Sequence, residues 1–188
     1  PAALCLFQPD WHQGVVGLLA SRIKEKYHRP VVAFARGDNG ELKGSSRSIP
    51  GLHIRDALDA VATQNPGLIT KFGGHAMAAG LSLSEDKLAE FENAFQAQVA
   101  RSVSTDDLQA KLVTDGSLEP QQISMHTAEL LRDAGPWGQL FPEPCFQGDF
   151  RIVQQRIVGE KHLKLVLSPS NQPEIAIDAI WFNIDTAR

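Results

Sequence analysis

Apolar and polar residues alternate in blocks through the first hundred positions. Short apolar runs are bounded by Gly, Pro and Asn, whereas the longer segments between them repeat apolar residues every three or four positions. The first pattern is typical of strands and the second of amphipathic helices. Strands are predicted at residues 4–7, 31–35, 41–47 and 80–82, and helices at residues 14–27, 54–62 and 84–102. Regular strand–helix alternation favours an α/β layer architecture.

The last of these helices has the clearest signal. Ser84 stands at its start and can cap it. Its core stripe, with three- or four-residue spacing, is Leu88, Phe91, Phe95 and Val99. A hairpin-like turn is predicted at residues 37–40, between two of the strands.

A polar stretch at residues 102–107 then breaks the pattern. We place a domain boundary there, with an α/β domain over residues 1–103 and a second domain over residues 104–188. In the second domain, strands are predicted at 111–118, 146–158 (bent or bulged), 162–167 and 174–182, with one helix at 127–134. A mostly-β segment with one helix is compatible with a small barrel such as the OB-fold.

Charge narrows the function classes. The 188 residues carry a formal net charge of −4, which argues against a uniformly basic nucleic-acid binder. The charge is uneven, because residues 22–55 hold eight Lys/Arg against three Asp/Glu and residues 151–164 hold four against one. Such local basic patches can bind a phosphate backbone, and they can equally be solvated faces of ordinary elements.

Compartment signals point to the cytoplasm. No apolar run approaches the roughly 18 residues of a membrane span, and the opening residues lack the regions of a signal peptide. Cys5 and Cys145 are too far apart in sequence to indicate a disulfide framework or a zinc site. The absence of an initiator Met indicates a piece of a longer chain.

The run KFGGHAMAAG at residues 71–80 is the most informative feature. Gly73 and Gly74 can adopt positive φ and present two backbone N–H groups to an anion, as in a backbone nest. His75 can donate to the same oxygen. The run is therefore a candidate phosphate site; the alternative is a tight turn with a structural or core histidine.

A second candidate anion site is the segment GSSRS at residues 44–48. Hydroxyl groups donate hydrogen bonds, a guanidinium forks onto two oxygens, and Gly44 allows close backbone approach. The alternative is a serine-rich strand end with Arg47 in a surface salt bridge.

These two runs have companions in a fixed order along the chain. They are DWHQGVVG at 10–17, LKGSSRSI at 42–49, KFGGHAMAAG at 71–80 and GPWGQLFPEP at 135–144. Together they resemble the RecJ-type exonucleases of the DHH phosphoesterase superfamily. The resemblance covers nearly the whole chain and implies a DHH-associated α/β domain followed by an OB-fold domain.

The resemblance implies part of an enzyme that removes mononucleotides from the 5′ end of single-stranded DNA during repair and recombination. The metal ligands of that family, for Mn²⁺ or Mg²⁺, belong to a preceding DHH domain. We therefore expect no cofactor, no metal ligand and no catalytic residue here, and no activity from this piece alone. Carried over by position, the phosphate-binding residues are Ser45, Arg47, Gly73, Gly74 and His75.

Two further questions stay open from the sequence. His12, before the first helix, could face the catalytic cleft, or cap the helix, or pack between domains. In the second domain the candidate strand-binding cations are Arg151, Arg156, Lys161 and Lys164. They are interleaved with Phe150, His162 and Trp181 as in single-strand binding surfaces, unless those aromatics are barrel core.

Competing functions are a DHH phosphodiesterase for short RNA or cyclic dinucleotides, and a non-catalytic nucleic-acid or protein-binding module such as the appendage of alanyl-tRNA synthetases. The segment from residue 106 onward argues against the first. Single-stranded DNA is the expected partner, with single-strand binding protein and a helicase as candidate protein partners.

Overall fold

The structure is a computed structural model that describes residues 1–138 and 141–184. Positions 139–140 of the fourth motif and positions 185–188 of the second domain lie outside the described residues. The chain divides into two compact units, Pro1–Lys111 and Leu112–Arg188. Among the described residues, no helix has the length and apolarity needed to cross a membrane.

The first unit is a five-stranded sheet with helices on both faces. Its strands are β1 (Leu4–Phe7), β2 (Val31–Arg36), β3 (Glu41–Arg47), β4 (Lys71–Gly74) and β5 (Ala78–Ser84). Its helices are α1 (Gln13–Tyr27), α2 (Ile54–Gln64) and α3 (Leu88–Ser102). The strand order is β1-β2-β3-β5-β4, in which β1 and β2 are parallel and the other pairs are antiparallel.

Strand alternation gives this sheet two different faces. On one face Phe34 of β2 contacts α3. Its ring meets the ring of Phe91 edge-on, with 5.5 Å between the ring centroids. Phe91 in turn stacks on Phe95, also at 5.5 Å. Val99 completes the buried stripe of α3, and Leu88 packs partly buried against it, as the sequence predicts.

The other face is covered only in part. Helix α1 packs Val16 and Ala20 onto Val31, Ala33 and Ala35 of β2. Because α1 lies over β1, β2 and β3, strands β5 and β4 extend beyond it on this side. The uncovered part of the sheet is the candidate site.

The start of the chain is joined to α3 by a paired side-chain contact. The Ala3 N–H donates to Gln96 Oε1 at 3.1 Å, and the Ala3 carbonyl accepts from Gln96 Nε2 at 2.6 Å. The two residues are 93 positions apart. The contact therefore fixes the approach to β1 only when α3 is in place.

The predicted strands and helices of this unit are confirmed, with shifted ends. Strand β4 was not predicted, and the turn at 37–40 contains one turn of 3₁₀ helix. Ser84 precedes a second 3₁₀ turn at Glu85–Lys87 instead of α3 itself, and its side chain makes no capping bond to a backbone N–H. Its hydroxyl hydrogen-bonds the Asp86 carboxylate instead.

The second unit contains α4 (Met125–Asp133) and a three-stranded antiparallel sheet. The strands are β6 (Phe150–Val158), β7 (His162–Pro169) and β8 (Ile177–Trp181), in that order. The predicted irregularity in the first is confirmed as a bulge between Ile152 and Gln154.

The prediction of a strand at residues 111–118 is wrong. Leu112 and Val113 are 79% and 83% exposed, so the apolar residues behind that prediction have no sheet to pack on. Within the segment, Asp115 exchanges hydrogen bonds with Cys145 and Ser117 forms one isolated bridge to Gln147.

Candidate nucleic-acid interface

The open face is the part of the first sheet that lies beside α1 on β3, β5 and β4. Directly paired residues of neighbouring strands point to the same face, so the register arranges the open face in three rows. The terminal row is Arg47, Ala78 and His75; the glycine row is Ser45, Gly80 and Gly73; the lysine row is Lys43, Ser82 and Lys71.

The glycine row forms the floor of a cleft of about 490 Å³. Gly73 and Gly80 face each other across β4 and β5, and neither places a side chain above the sheet. Gln13 and Val16 of α1 form one wall, and the lysine row lines the same cleft. A backbone or a sugar-phosphate strand can therefore approach the sheet closely here.

Arg47 is held in a fixed position at the end of β3. Its Nε donates to Ser21 Oγ at 3.1 Å and its Nη1 donates to the Ser46 carbonyl at 2.9 Å. Gly17 of α1 makes room, because a Cβ there would lie 3.2 Å from Arg47 Nη2. The alternative of a surface salt bridge is wrong, since Arg47 pairs with no carboxylate among the described residues.

His75 lies in the turn between β4 and β5. The Ala76 carbonyl accepts from Ile54 N–H at 2.9 Å and the Met77 carbonyl accepts from Ser48 N–H at 3.0 Å, which fixes the turn. The His75 side chain is exposed, so the alternative of a core histidine is wrong. The backbone N–H of His75 donates to the Ala78 carbonyl at 2.8 Å, which places His75 in the terminal row next to Ala78.

The two glycines before His75 do not form the expected backbone nest. Both belong to β4, with Gly73 opposite Gly80 and Gly74 opposite Ala79. Only Gly74 has positive φ, at 146°, and a Cβ there would lie 2.5 Å from the Ala78 carbonyl oxygen. The glycines therefore act through the absence of side chains on the strand, not through paired N–H groups.

The lysine row combines one ordered and one exposed ammonium. Lys43 Nζ contacts Ser82 Oγ at 2.9 Å and Glu41 Oε2 at 2.5 Å. The hydrogen bond that Lys43 donates to Glu41 lowers the pKa of Glu41 below its ordinary value. Desolvation of the carboxylate raises that pKa and is the smaller effect. Lys71, on the far side of Ser82, is exposed and forms no ion pair within the described part of the chain.

His12 caps α1. Its Nδ1 accepts a hydrogen bond from the Gly14 N–H at 3.0 Å, which satisfies one of the free donors at the helix start. Of the roles left open by the sequence, the structure shows the capping role. Like Arg47 and His75, His12 lies outside the lining of the cleft, and a role of His12 toward the catalytic cleft of the longer protein stays a prediction.

In the second unit the bulge brings basic residues to one face. Arg151 pairs with Ser168 and Arg156 with Lys164, and both pairs lie on the same side of β7. Five positions separate the arginines, so a regular strand would place them on opposite faces. Lys164 also contacts Asp178 at 3.3 Å, and Lys161 lies outside the ladder, in the turn before β7.

The predicted interleaving of cations with aromatic rings is wrong for two of the three aromatics. Phe150 pairs with Pro169 and Trp181 with Leu163, which places both rings on the sheet face opposite the arginines. Both remain partly exposed, at 38% and 64%. His162 shares the basic face, but its ring packs edge-on against Phe182 at 5.3 Å.

The lysine row is not evident from the local sequence. Lys43 and Lys71 are 28 positions apart, and only their common pairing with Ser82 brings them together. Locally, Phe72 between Lys71 and Gly73 is a weak sign of strand alternation, but this glycine-rich segment has low strand propensity and shows no register. Across residues 1–138 and 141–184, no group of three or more His, Cys, Asp or Glu side chains could hold a metal ion.

Comparison with known proteins agrees with this architecture. The DHHA1 domain family matches residues 2–101, and the RecJ OB domain family matches residues 114–187. The chain is 56% identical over 187 residues to the single-stranded-DNA-specific exonuclease RecJ of Escherichia coli, and 52% identical over 188 residues to the same enzyme of Haemophilus influenzae.

The chain spans about a third of those relatives, covering 32% of the length of each. Among solved structures, RecJ of Thermus thermophilus in complex with Mg²⁺ superposes with a TM-score of 0.74 at 29% identity, over 99% of this chain and 27% of that one. The predicted fold class, an α/β domain followed by an OB-type β domain, is confirmed. The chain belongs to the DHHA1 domain family and joins that domain to a RecJ OB domain.

Proposed function

We propose that this chain binds the 5′ end of a DNA single strand for an exonuclease of the RecJ type. The observation that carries the proposal is the terminal row beside the glycine row. There a fixed guanidinium, a hydroxyl and an imidazole surround a floor without side chains. The relatives named above are single-stranded-DNA-specific exonucleases, which supports DNA as the ligand.

The chemistry of the open face suits a terminal phosphate. A guanidinium matches two phosphate oxygens at once, and the contacts from Ser21 and Ser46 already fix the orientation of Arg47. Ser45, on the same face two residues earlier, can donate a hydroxyl hydrogen bond. His75 adds a third donor on the opposite side of Ala78.

We assign the cleavage step to parts of the longer protein outside this chain. The described residues contain no metal-binding cluster, and the Thermus thermophilus relative has been solved with Mg²⁺ and with Mn²⁺. Those ions are the metals we propose for the parent enzyme. This chain then supplies substrate binding, and we expect no cleavage of single-stranded DNA by it alone.

The basic face of the second unit supports a role in holding the strand behind its 5′ end. Arg151, Arg156 and Lys164 share that face, and cations on a sheet surface follow a phosphate backbone without reading its sequence. Roles in repair and recombination, a cytoplasmic location, and a single-strand binding protein or helicase as partner stay predictions.

The test compares two oligonucleotides that differ only at the 5′ end. Fluorescence anisotropy of a 5′-phosphate and a 5′-hydroxyl single strand, each titrated with this chain, measures end recognition. We expect tighter binding of the phosphorylated strand, and loss of that preference in Arg47→Ala. Arg22→Ala is the matched control, because Arg22 is exposed on α1 and belongs to none of the three rows of the open face.

Equal binding of both ends by the unmodified chain would contradict the proposal. An effect of Arg22→Ala as large as that of Arg47→Ala would contradict it too, because it would indicate attraction by overall charge. Arg47→Lys keeps the charge but not the fork, so it should restore only part of the preference.

A further inference from the structure

We propose that the lysine row is a second phosphate site, which binds an internal phosphodiester of the strand whose 5′ phosphate lies at Arg47. The lysine row is Lys43, Ser82 and Lys71. This inference rests on the proposed function, and it assigns a specific path to the bound strand.

The two sites lie on one continuous surface. Residues two apart along a strand are about 6.7 Å apart, so the lysine row is about 13 Å from the terminal row. The glycine row lies between them and has no side chain larger than that of Ser45. A strand that enters at Arg47 can therefore cross the glycine floor to the lysines without passing over a bulky side chain.

The cleft itself joins the middle of this path to the lysine row. Its lining contains Ser45, Gly73 and Gly80 together with all three members of the lysine row. At about 490 Å³ it has the size of a small-ligand site. Terminal-phosphate binding uses only the Ser45 end of this volume, since Arg47 lies outside its lining.

The lysine row has the chemistry of a backbone site and not of an end site. Lys43 and Lys71 flank the buried Ser82 from two different strands, so two lysines line the same part of the cleft and the Lys43 ammonium rests on the Ser82 hydroxyl. An ammonium group is a point charge on a flexible stem, which tolerates a phosphate in several orientations. The fixed fork of Arg47 instead selects one geometry.

The surface beyond the lysine row is acidic. The next position on the face is Glu41, paired with Ser84, and Glu85 and Asp86 follow in the chain. Lys43 is held by Glu41, and Arg36 contacts Glu85 at 2.7 Å. Carboxylates repel a phosphate backbone, so the strand leaves the sheet at the lysine row rather than continuing along β3.

The first experiment measures how binding grows with strand length. Phosphorylated thymidine oligonucleotides of one to four nucleotides compete with a labelled strand for this chain. We expect one distinct gain in affinity, at the length where an internal phosphate first reaches the lysine row. Lys71→Gln should remove that gain, about threefold to fivefold, and leave the binding of the mononucleotide unchanged.

The second experiment identifies the phosphate. Neutral methylphosphonate linkages are placed one at a time in the tetranucleotide, and each is tested against Lys71→Gln. At the linkage bound by the lysine row, the losses of binding free energy from the substitution and from the neutral linkage should not add, because both changes remove the same contact. At the other linkages the two fold-losses of affinity should multiply, because the changes act on different contacts.

One variant controls for overall charge, and a second repeats the test at Lys43. Lys26→Gln removes an exposed lysine from the end of α1, and its binding should match that of the unmodified chain. The double variant Lys43→Gln with Glu41→Gln removes the second ammonium without leaving its partner carboxylate unpaired. It should also lose the length-dependent gain.

A uniform increase of affinity with length, or an equal weakening of all lengths by Lys71→Gln, would overturn the second site. Neither result would affect the preference for a 5′ phosphate, which depends on Arg47. Conversely, a chain that binds both 5′ ends equally but still gains affinity at one strand length would refute the end site alone. The two proposals are therefore separable within one set of titrations.

Discussion

Gly73 and Gly74 are neighbours in β4 but are required for different reasons. At Gly74 the φ of 146° is unfavourable for any side chain, and a Cβ would lie 2.7 Å from Ala79 Cβ. At Gly73 a Cβ would have no heavy atom within 4 Å, because it would project into the cleft. Gly74 is thus needed by the fold, whereas Gly73 keeps the cleft open for the proposed ligand.

Alanine at each position separates these two requirements. We expect Gly74→Ala to lower the free energy of unfolding by about 2 kcal/mol or more, since it combines strained backbone with a steric clash. Gly73→Ala should change stability by less than about 0.5 kcal/mol and weaken DNA binding. Denaturant unfolding and anisotropy measure the two effects. Equal stability of both variants would contradict the geometry of β4.

Cys5 gives a second prediction at this scale. Burial against the core between the sheet and α3 raises the pKa of the Cys5 thiol, and the nearby Glu92 carboxylate raises it further. The folded protein therefore retains a proton that the unfolded chain loses near pH 8.5. Above that pH the stability should fall, by at most about 1.4 kcal/mol per pH unit from this group.

The measurement is the free energy of unfolding between pH 7.5 and 10, for the unmodified chain and for Cys5→Ala. The difference between their slopes isolates the thiol, because all other groups are common to both. Parallel curves would show that Cys5 ionises as easily in the folded state as in the unfolded one.

At the scale of elements, the bulge in β6 decides which residues share a face. Deletion of Val153 would restore regular alternation and turn either Arg151 or Arg156 to the apolar face. We expect the deletion to lower the slope of log affinity against log salt concentration by about 0.7, the value for one phosphate contact of a single strand.

Val153→Ala keeps the extra residue and therefore the bulge, so its salt dependence should match that of the unmodified chain. Thermal unfolding of both variants shows whether the sheet survives. A folded deletion variant with an unchanged slope would mean that the two arginines need not share a face to bind DNA.

The elements that the sequence predicts well are those with a strong local pattern. Helix α3 repeats apolar residues on one stripe, and β3 follows a glycine-bounded turn and alternates buried with partly exposed positions. Strand β4 was missed because its Lys-Phe-Gly-Gly sequence has low strand propensity. Its conformation depends on pairing with β5. The lysine row could not be predicted for the same reason, because it exists only through that pairing.

The candidate site was predicted in parts. The motifs indicate Arg47, Ser45 and His75, whose binding roles stay predictions, and the nest expected at the glycines is replaced by a strand. Local sequence indicates which residues can bind an anion. It does not show that Gly17 on α1 makes room for Arg47, because that contact joins separate elements.

At the scale of the molecule, the second unit has an unusually apolar exposed surface. The face of its sheet opposite the arginines carries Ile152, Ile157 and Trp181, which are 55%, 51% and 64% exposed. Clustered apolar residues at this exposure favour self-association or dye binding. We expect the chain to bind an apolar fluorescent dye while folded.

The double variant Ile157→Thr with Trp181→Thr should reduce the dye fluorescence several-fold. Leu112→Thr is the control, because Leu112 is 79% exposed but lies outside the sheet. If the control reduced the signal equally, the dye would be reporting scattered apolar residues and not the sheet face.

The contact between Ala3 and Gln96 has a consequence for the order of events on the ribosome. Ala3 is synthesised 93 residues before its partner, which corresponds to roughly 5–20 seconds of translation at bacterial rates. During that interval the first strand can pair with β2, but its entry is not yet tied to α3. The opening residues of a nascent first unit should therefore stay open to proteases until α3 has left the exit tunnel.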